Sequence, residues 1–118
     1  MSIQQSVTVR NAMLDAIETA VGTTPVLKIR TGAAPATCAT ADSGTVLVSI
    51  TLPSDWMAAA SAGSKSMSGT WSGTAAAAGT AAHYRLYASD GTTCHEQGTV
   101  TATGGGGDLT LDLSLIHI

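Results

Sequence analysis

The densest group of chemically capable side chains in this sequence is Cys94-His95-Glu96. A thiol, an imidazole and a carboxylate are the side-chain types that bind zinc. Adjacent side chains on a β-strand point to opposite faces, so Cys94 and His95 would need a bulge to reach one ion. Cys38 and His83 are the other residues that could join them, but no C-x-x-C or H-x-x-x-H spacing supports a site. We therefore expect no metal and no cofactor. Cys38 and Cys94 could form one bridge only if the fold brings them together, and a reducing cytosol favours free thiols.

The sequence lacks the motifs of common catalytic sites. Twelve serines and the histidines at 83 and 95 leave a Ser-His-Asp set possible by number alone, yet no G-x-S-x-G elbow accompanies them. The glycines at 104–107 are not followed by the Lys-Ser/Thr of a phosphate-binding loop, which favours a flexible linker. Four aspartates occupy turn-like positions that Asp favours for backbone reasons, namely Asp42, Asp55, Asp90 and Asp108. We expect a protein that is not an enzyme.

The aromatic side chains are few enough to be considered one by one. The chain contains two Trp, two Tyr and no Phe. Trp56 and Trp71 have flat rings that could stack on a sugar, but a chain without Phe needs them to fill its core, and we favour that interpretation. We assign the candidate interaction surface to Trp56, Trp71, Tyr87 and Glu96.

The composition and charge narrow the class of protein. Ala, Gly, Ser and Thr supply more than half of the 118 residues, so we expect one domain with a thin core. Charged residues make up 11% of the chain, and the net charge is −3. Because no basic face is available to neutralise phosphates, we expect neither nucleic acid nor an anionic membrane as a partner. The sequence shows no transmembrane run and no signal peptide, which predicts a protein made in the cytosol that is used there or leaves it inside a larger assembly.

An N-terminal amphipathic helix is predicted from the spacing of apolar residues. These residues recur every three or four positions and would form one apolar stripe, made of Val9, Met13, Ala16, Ile17, Ala20 and Val21. Ser6 or Thr8 is a suitable N-cap, and Gly22 can end the helix because it tolerates positive φ. We expect a helix over about residues 8–21, with its stripe against the core and its carboxylates in solvent.

Beyond Pro25 apolar residues alternate with polar ones, which is typical of strands with one buried face. The predicted strands lie near residues 27–30, 45–52, 66–73, 79–89, 94–102 and 109–111. The stretch 54–63 is ambiguous, although its alanines favour a short helical turn. Together these elements predict a mainly-β single domain over residues 1–112. We expect an antiparallel β-sandwich or jelly roll that carries the N-terminal helix.

The Asp90-Gly91 pair predicts a hairpin whose register decides which residues share a face. A two-residue turn places Tyr87 opposite Cys94, whereas a three-residue loop places Ala88 there. We prefer the three-residue loop because it gathers the apolar residues on one face. It puts Cys94 on that apolar face and, less favourably, Glu96 as well.

The last residues read differently from the rest of the chain. Residues 113–118, Leu-Ser-Leu-Ile-His-Ile, match the translation of a transposon-end adapter used in shotgun sequencing libraries. We expect this tail to be non-native and the domain to be truncated at its C-terminus. The alternative is a genuine apolar strand that continues the alternation of Leu109 and Leu111.

Four segments together resemble small structural proteins of tailed bacteriophages. They are residues 11–18 (NAMLDAIE), 45–56, 69–74 (GTWSGT) and 84–87 (YRLY), and the resemblance covers nearly all of residues 8–112. These motifs are compositional and positional rather than catalytic, so no functional residue is carried over. The resemblance implies a virion component, with capsid decoration or a cement role as the expected function.

Two functions follow from these observations. The first is a non-enzymatic virion structural protein, a homo-oligomer docked on other proteins of a capsid or tail lattice, because a thin-cored domain gains stability from assembly. The alternative is a carbohydrate- or receptor-binding module of a tail fibre, with stacking surfaces at Trp56, Trp71, Tyr84 and Tyr87. A solvent-exposed Trp would favour the second function.

Overall fold

The described part of the chain folds into one open β-sheet and one N-terminal helix. A computed structural model describes residues 3–69, 71, 73–102, 106 and 109–111. Among them the elements follow in the order α1 (Val7–Val21), β1 (Val26–Arg30), β2 (Val46–Thr51), β3 (His83–Tyr87), β4 (Cys94–Ala102) and β5 (Leu109–Leu111). The predicted mainly-β class with an N-terminal helix is confirmed. The tail at 113–118 lies outside the described residues.

The strands are arranged in the order β2-β1-β3-β4-β5. Pairing is antiparallel between β2 and β1, between β1 and β3, and between β3 and β4. The short strand β5 pairs with β4 in parallel. The described residues contain this single sheet, so they do not confirm the expected sandwich or jelly roll.

The segment between β2 and β3 is irregular. In its described residues the pairing is limited to isolated bridges such as Met57 with Met67, so the predicted strand at 66–73 is wrong there. Gly69 adopts a φ of +73°, which interrupts an extended strand. The neighbouring Ser and Ala side chains offer little cross-strand packing. The helical turn favoured at 54–63 does not form either.

Alternation along β1 and β3 separates an apolar face of the sheet from a polar face. On the apolar face Leu27 pairs with Leu86, and both belong to a buried hydrophobic cluster. On the polar face Lys28 pairs with Arg85. The connection between β1 and β2, residues 31–45, folds back over this polar face and is named the β1–β2 loop.

The ends of α1 follow the predicted capping pattern. The Ser6 hydroxyl accepts a hydrogen bond of 3.2 Å from the Val9 amide, as an N-cap does. At the other end the Gly22 amide donates to the Glu18 carbonyl at 3.0 Å, and Gly22 has a φ of 90°. Both predicted helix boundaries are therefore confirmed to within one residue.

The orientation of α1 differs from the prediction. Three members of the apolar stripe are exposed, with relative accessibilities of 44% for Val9, 54% for Met13 and 46% for Ile17. The opposite and mostly polar side of the helix is half-buried, and comprises Asn11, Leu14, Asp15 and Glu18. The expected burial of the stripe is wrong except at Val21, which is 5% exposed. Periodicity shows that a helix is two-sided, but not which side its own domain uses.

The β3–β4 hairpin has both of the registers considered above, one on each side of a β-bulge. Leu86 pairs with Glu96, as the three-residue loop requires, whereas Tyr87 pairs with Cys94, as the two-residue turn requires. The register shift leaves His95 as the extra residue in β4. Cys94 therefore lies on the polar face, and its expected place on the apolar face is wrong. Glu96 does lie on the apolar face.

Candidate functional site

A pocket of about 440 Å³ opens between α1, the irregular segment and the apolar face of the sheet. Each of these three elements contributes apolar walls, which are formed mainly by Leu14, Ile17, Leu27, Trp56, Trp71 and Leu86. Its size and mixed lining are typical of sites for small ligands. This pocket is the candidate functional site of the described chain.

The two tryptophans have different roles in the pocket. Trp56 is 3% exposed, and its indole N–H donates to the Gly22 carbonyl at 2.9 Å, which ties the end of α1 to the core. The ring of Trp71 is half-buried, and its N–H is shared between the carbonyls of Trp56 at 3.1 Å and Ser68 at 3.3 Å. The ring centroids lie 6.0 Å apart. Core filling is thus confirmed for Trp56, while Trp71 presents part of its ring to the pocket.

Polar groups stand at one edge of the pocket. The Tyr84 hydroxyl donates to Oε1 of Glu96 at 2.7 Å. Glu96 is exposed and lines the pocket because the bulge keeps it on the apolar face. A carboxylate in the same pocket as a partly exposed indole can accept hydrogen bonds from a hydroxylated ligand.

Lys65 anchors the helix beside the pocket. Its side chain is 5% exposed, and Nζ lies 2.6 Å from Oδ1 of Asp15 and 2.9 Å from Oε1 of Glu18. The Lys65 bond lowers the pKa of Asp15, helped by the Ala60 amide, which donates to the same carboxylate at 2.9 Å. The two carboxylates raise the pKa of Lys65 in turn. The acidic side of α1 therefore packs against the rest of the domain, and its expected exposure to solvent is wrong.

The polar face of the sheet carries a second cluster, centred on Asp42 of the β1–β2 loop. Its carboxylate accepts from Nη1 of Arg85 and from the Tyr87 hydroxyl at 2.7 Å each, and lies 3.2 Å from Nη2 of Arg30. The Tyr87 hydrogen bond and the two guanidinium groups lower the pKa of Asp42. Burial raises the pKa of Tyr87.

Arg85 is fully committed to structural contacts. Its Nε donates to Oε1 of Gln97 at 3.0 Å, and its Nη2 donates to the carbonyls of Thr37 and Thr40 at 2.9 Å each. With Nη1 on Asp42, every nitrogen of the guanidinium is engaged, and the side chain is 2% exposed. This cluster therefore fastens the loop to the sheet.

The structure brings together three of the four residues assigned to an interaction surface. Trp56, Trp71 and Glu96 all line the pocket. Tyr87 does not, because it is fully buried on the opposite face of the sheet. The sequence already indicated this position, because Tyr87 and Arg85 are two residues apart on one strand and therefore lie on the same face. Lys65, by contrast, was missed because its acidic partners lie about fifty positions away in the chain.

Within the described ranges, no three His, Cys, Asp or Glu side chains come together as a metal site would require. The described part of the chain also contains no helix of the length and apolar content that crossing a bilayer requires. Comparison with family models, curated proteins and solved structures finds no match to this chain.

Proposed function

We propose that this chain is a non-enzymatic structural protein of a tailed-phage virion, a capsid decoration or cement protein or a related head or tail component. The observation that carries the proposal is the outward apolar stripe of α1, with Val9, Met13 and Ile17 each 44–54% exposed. An isolated domain normally turns such a stripe inward. Here the polar side of the helix is attached to Lys65, so the stripe is available to another protein.

Assembly would also stabilise a domain whose hydrophobic core is small. The larger buried hydrophobic residues form two small clusters, and exposed apolar surface in contiguous patches marks interaction sites. Any partner that binds only the folded chain stabilises it by mass action. In this proposal the chain is made in the host cytoplasm, forms a homo-oligomer and docks on other virion proteins. The β-sandwich or jelly roll stays part of the proposal, with the second β layer completed in the assembly.

Charged residues in the stripe are expected to abolish this docking. We expect Met13→Glu combined with Ile17→Glu to reduce co-sedimentation with particles of the phage that encodes the chain at least about tenfold, because each carboxylate would be buried against apolar surface. The matched control is Ala12→Glu combined with Thr19→Glu, which adds the same charge at exposed positions beside the stripe. Equal co-sedimentation of the two variants, or absence of the wild-type chain from the particles, would contradict the proposal.

The second candidate function is a carbohydrate- or receptor-binding module of a tail fibre. The specific observation in its favour is the pocket, whose lining includes both the partly exposed ring of Trp71 and the hydrogen-bonded pair of Tyr84 and Glu96. Aromatic stacking with adjacent polar groups is the common chemistry of sugar sites. This function needs Trp71 and Glu96, whereas the virion role needs the stripe. Ile17 belongs to both surfaces, so Met13 and Glu96 are the residues that separate the two functions.

Fluorescence quenching distinguishes the two tryptophans and tests the second function. We expect acrylamide to quench Trp71 and to leave Trp56 largely unquenched, since Trp56 is 3% exposed. Trp71→Phe should therefore remove most of the quenchable emission. Protection of Trp71 by an oligosaccharide, lost in Glu96→Gln, would support a binding module. Unchanged quenching across a glycan panel would count against it.

A further inference from the structure

The β1–β2 loop places Cys38 directly above the polar face of the sheet. Cys38 stands between Thr37 and Thr40, whose carbonyls both accept from Nη2 of Arg85 at 2.9 Å. Arg85 projects from β3, so these two bonds hold the loop around Cys38 against that strand. Cys38 is half-buried by this contact.

The bulge in β4 brings Cys94 to the same face. Cys94 pairs with Tyr87, whose hydroxyl reaches Asp42 of the β1–β2 loop at 2.7 Å. The Cys94 thiol is also free and half-buried. Burial raises the pKa of Cys94 to about 12, and the Cys38 thiol adds to the shift, as expected for two thiols close enough to interact. Loop and strand thus present one thiol each at a single contact.

We propose that Cys38 and Cys94 are a reversible redox pair that closes into an internal disulfide and fastens the β1–β2 loop to β4. The oxidant is a small-molecule disulfide such as oxidised glutathione. The pair would stay open where the glutathione pool is reducing and close where it is oxidising. This inference does not depend on the proposed virion role.

The reaction proceeds by two thiol–disulfide exchanges. The Cys38 thiolate attacks one sulfur of oxidised glutathione, forms a mixed disulfide and releases one glutathione thiolate, which takes up a proton. The Cys94 thiol then gives up its proton, attacks the Cys38 sulfur and breaks the mixed disulfide, and the second glutathione leaves as a thiolate that takes up a proton. The protein loses two electrons and two protons, and the oxidant gains them. The same two exchanges in the opposite order, with Cys94 as the first nucleophile, give the same products.

Peptide mapping of the oxidised chain tests the proposal. The reduced protein is equilibrated with mixtures of reduced and oxidised glutathione, alkylated and digested with trypsin. We expect the tryptic peptides 31–65 and 86–118 to be joined, in a monomer that has lost two hydrogens. The yield should not depend on protein concentration. The midpoint of thermal unfolding should rise by roughly 5–15 °C, because the closed loop restricts the unfolded chain.

Single cysteine variants provide the controls. Cys94→Ser should stop at the mixed disulfide on Cys38, and Cys38→Ser should stop at the mixed disulfide on Cys94. Three results would overturn the proposal: glutathione on both cysteines without an internal link, linked dimers whose yield grows with protein concentration, or a linked monomer no more stable than the reduced one. The wild-type experiment alone separates these outcomes, so it does not depend on the folding of a variant.

Discussion

Asp42→Asn is expected to lower the free energy of unfolding by about 2–4 kcal/mol. Asp42 faces two guanidinium groups, those of Arg30 and Arg85, whose side chains are 8% and 2% exposed. Removing the carboxylate charge would leave both cations buried without a counter-ion. The expected loss is below that of a fully buried pair because Asp42 itself is 42% exposed and water can partly replace it.

Urea denaturation of matched variants measures this effect. Asp55→Asn is the control, because Asp55 is exposed and the substitution is chemically identical, and we expect it to change stability by no more than about 0.5 kcal/mol. If the two variants unfold at the same urea concentration, the Asp42 cluster does not stabilise the fold.

The contact of Asp42 with Arg30 and Arg85 makes the free energy of unfolding depend on pH. The pKa of Asp42 is lowered in the folded chain, so its contribution is fully present above the unfolded value of about 3.9 and is lost as pH falls through the folded value. The difference in the free energy of unfolding between wild type and Asp42→Asn should therefore be constant near neutral pH and become smaller below about pH 4. A gap that widens in acid would contradict this assignment.

Local patterns in the sequence predict the helix, the main strands and the two faces of β1 and β3. The caps at Ser6 and Gly22 and the alternation around Arg85 each depend on neighbouring residues. The β1–β2 loop could not be predicted in this way, because Arg85 binds the backbone carbonyls of Thr37 and Thr40, more than forty positions away. Backbone carbonyls have no residue type, so such contacts leave no pattern in the sequence.

The candidate site was only partly predictable for a related reason. Glu96 was placed correctly on the apolar face because the predicted three-residue loop pairs it with Leu86, but the structure reaches that register through a bulge. The bulge at His95 was not predicted, and it moved Cys94 to the polar face. The side of α1 that faces the core was also predicted wrongly, because the bond from Lys65 to Asp15 joins segments fifty positions apart. One local irregularity therefore accounts for the misplaced Cys94, and one long-range ion pair accounts for the wrong orientation of α1.

Gly44→Ala is expected to displace the β1–β2 loop and to lower the free energy of unfolding by about 3 kcal/mol or more. Gly44 has a φ of +72°, and a Cβ there would lie 2.0 Å from the backbone oxygen of Thr31. Thr31 cannot move easily, because its amide donates to the Thr45 carbonyl and its hydroxyl accepts from the Thr45 amide. The close approach at the base of the loop thus requires glycine.

Gly32→Ala separates backbone strain from this clash. Gly32 has nearly the same φ, +77°, but a Cβ there would meet open space, so we expect a loss of only about 1 kcal/mol. If both substitutions cost the same, the clash with Thr31 does not matter. Combining Gly44→Ala with Asp42→Asn gives a further test, since two changes that release one loop should cost less together than their sum. Strict additivity would mean that Asp42 and Gly44 stabilise the fold independently, and would count against a single cooperative contact between loop and sheet.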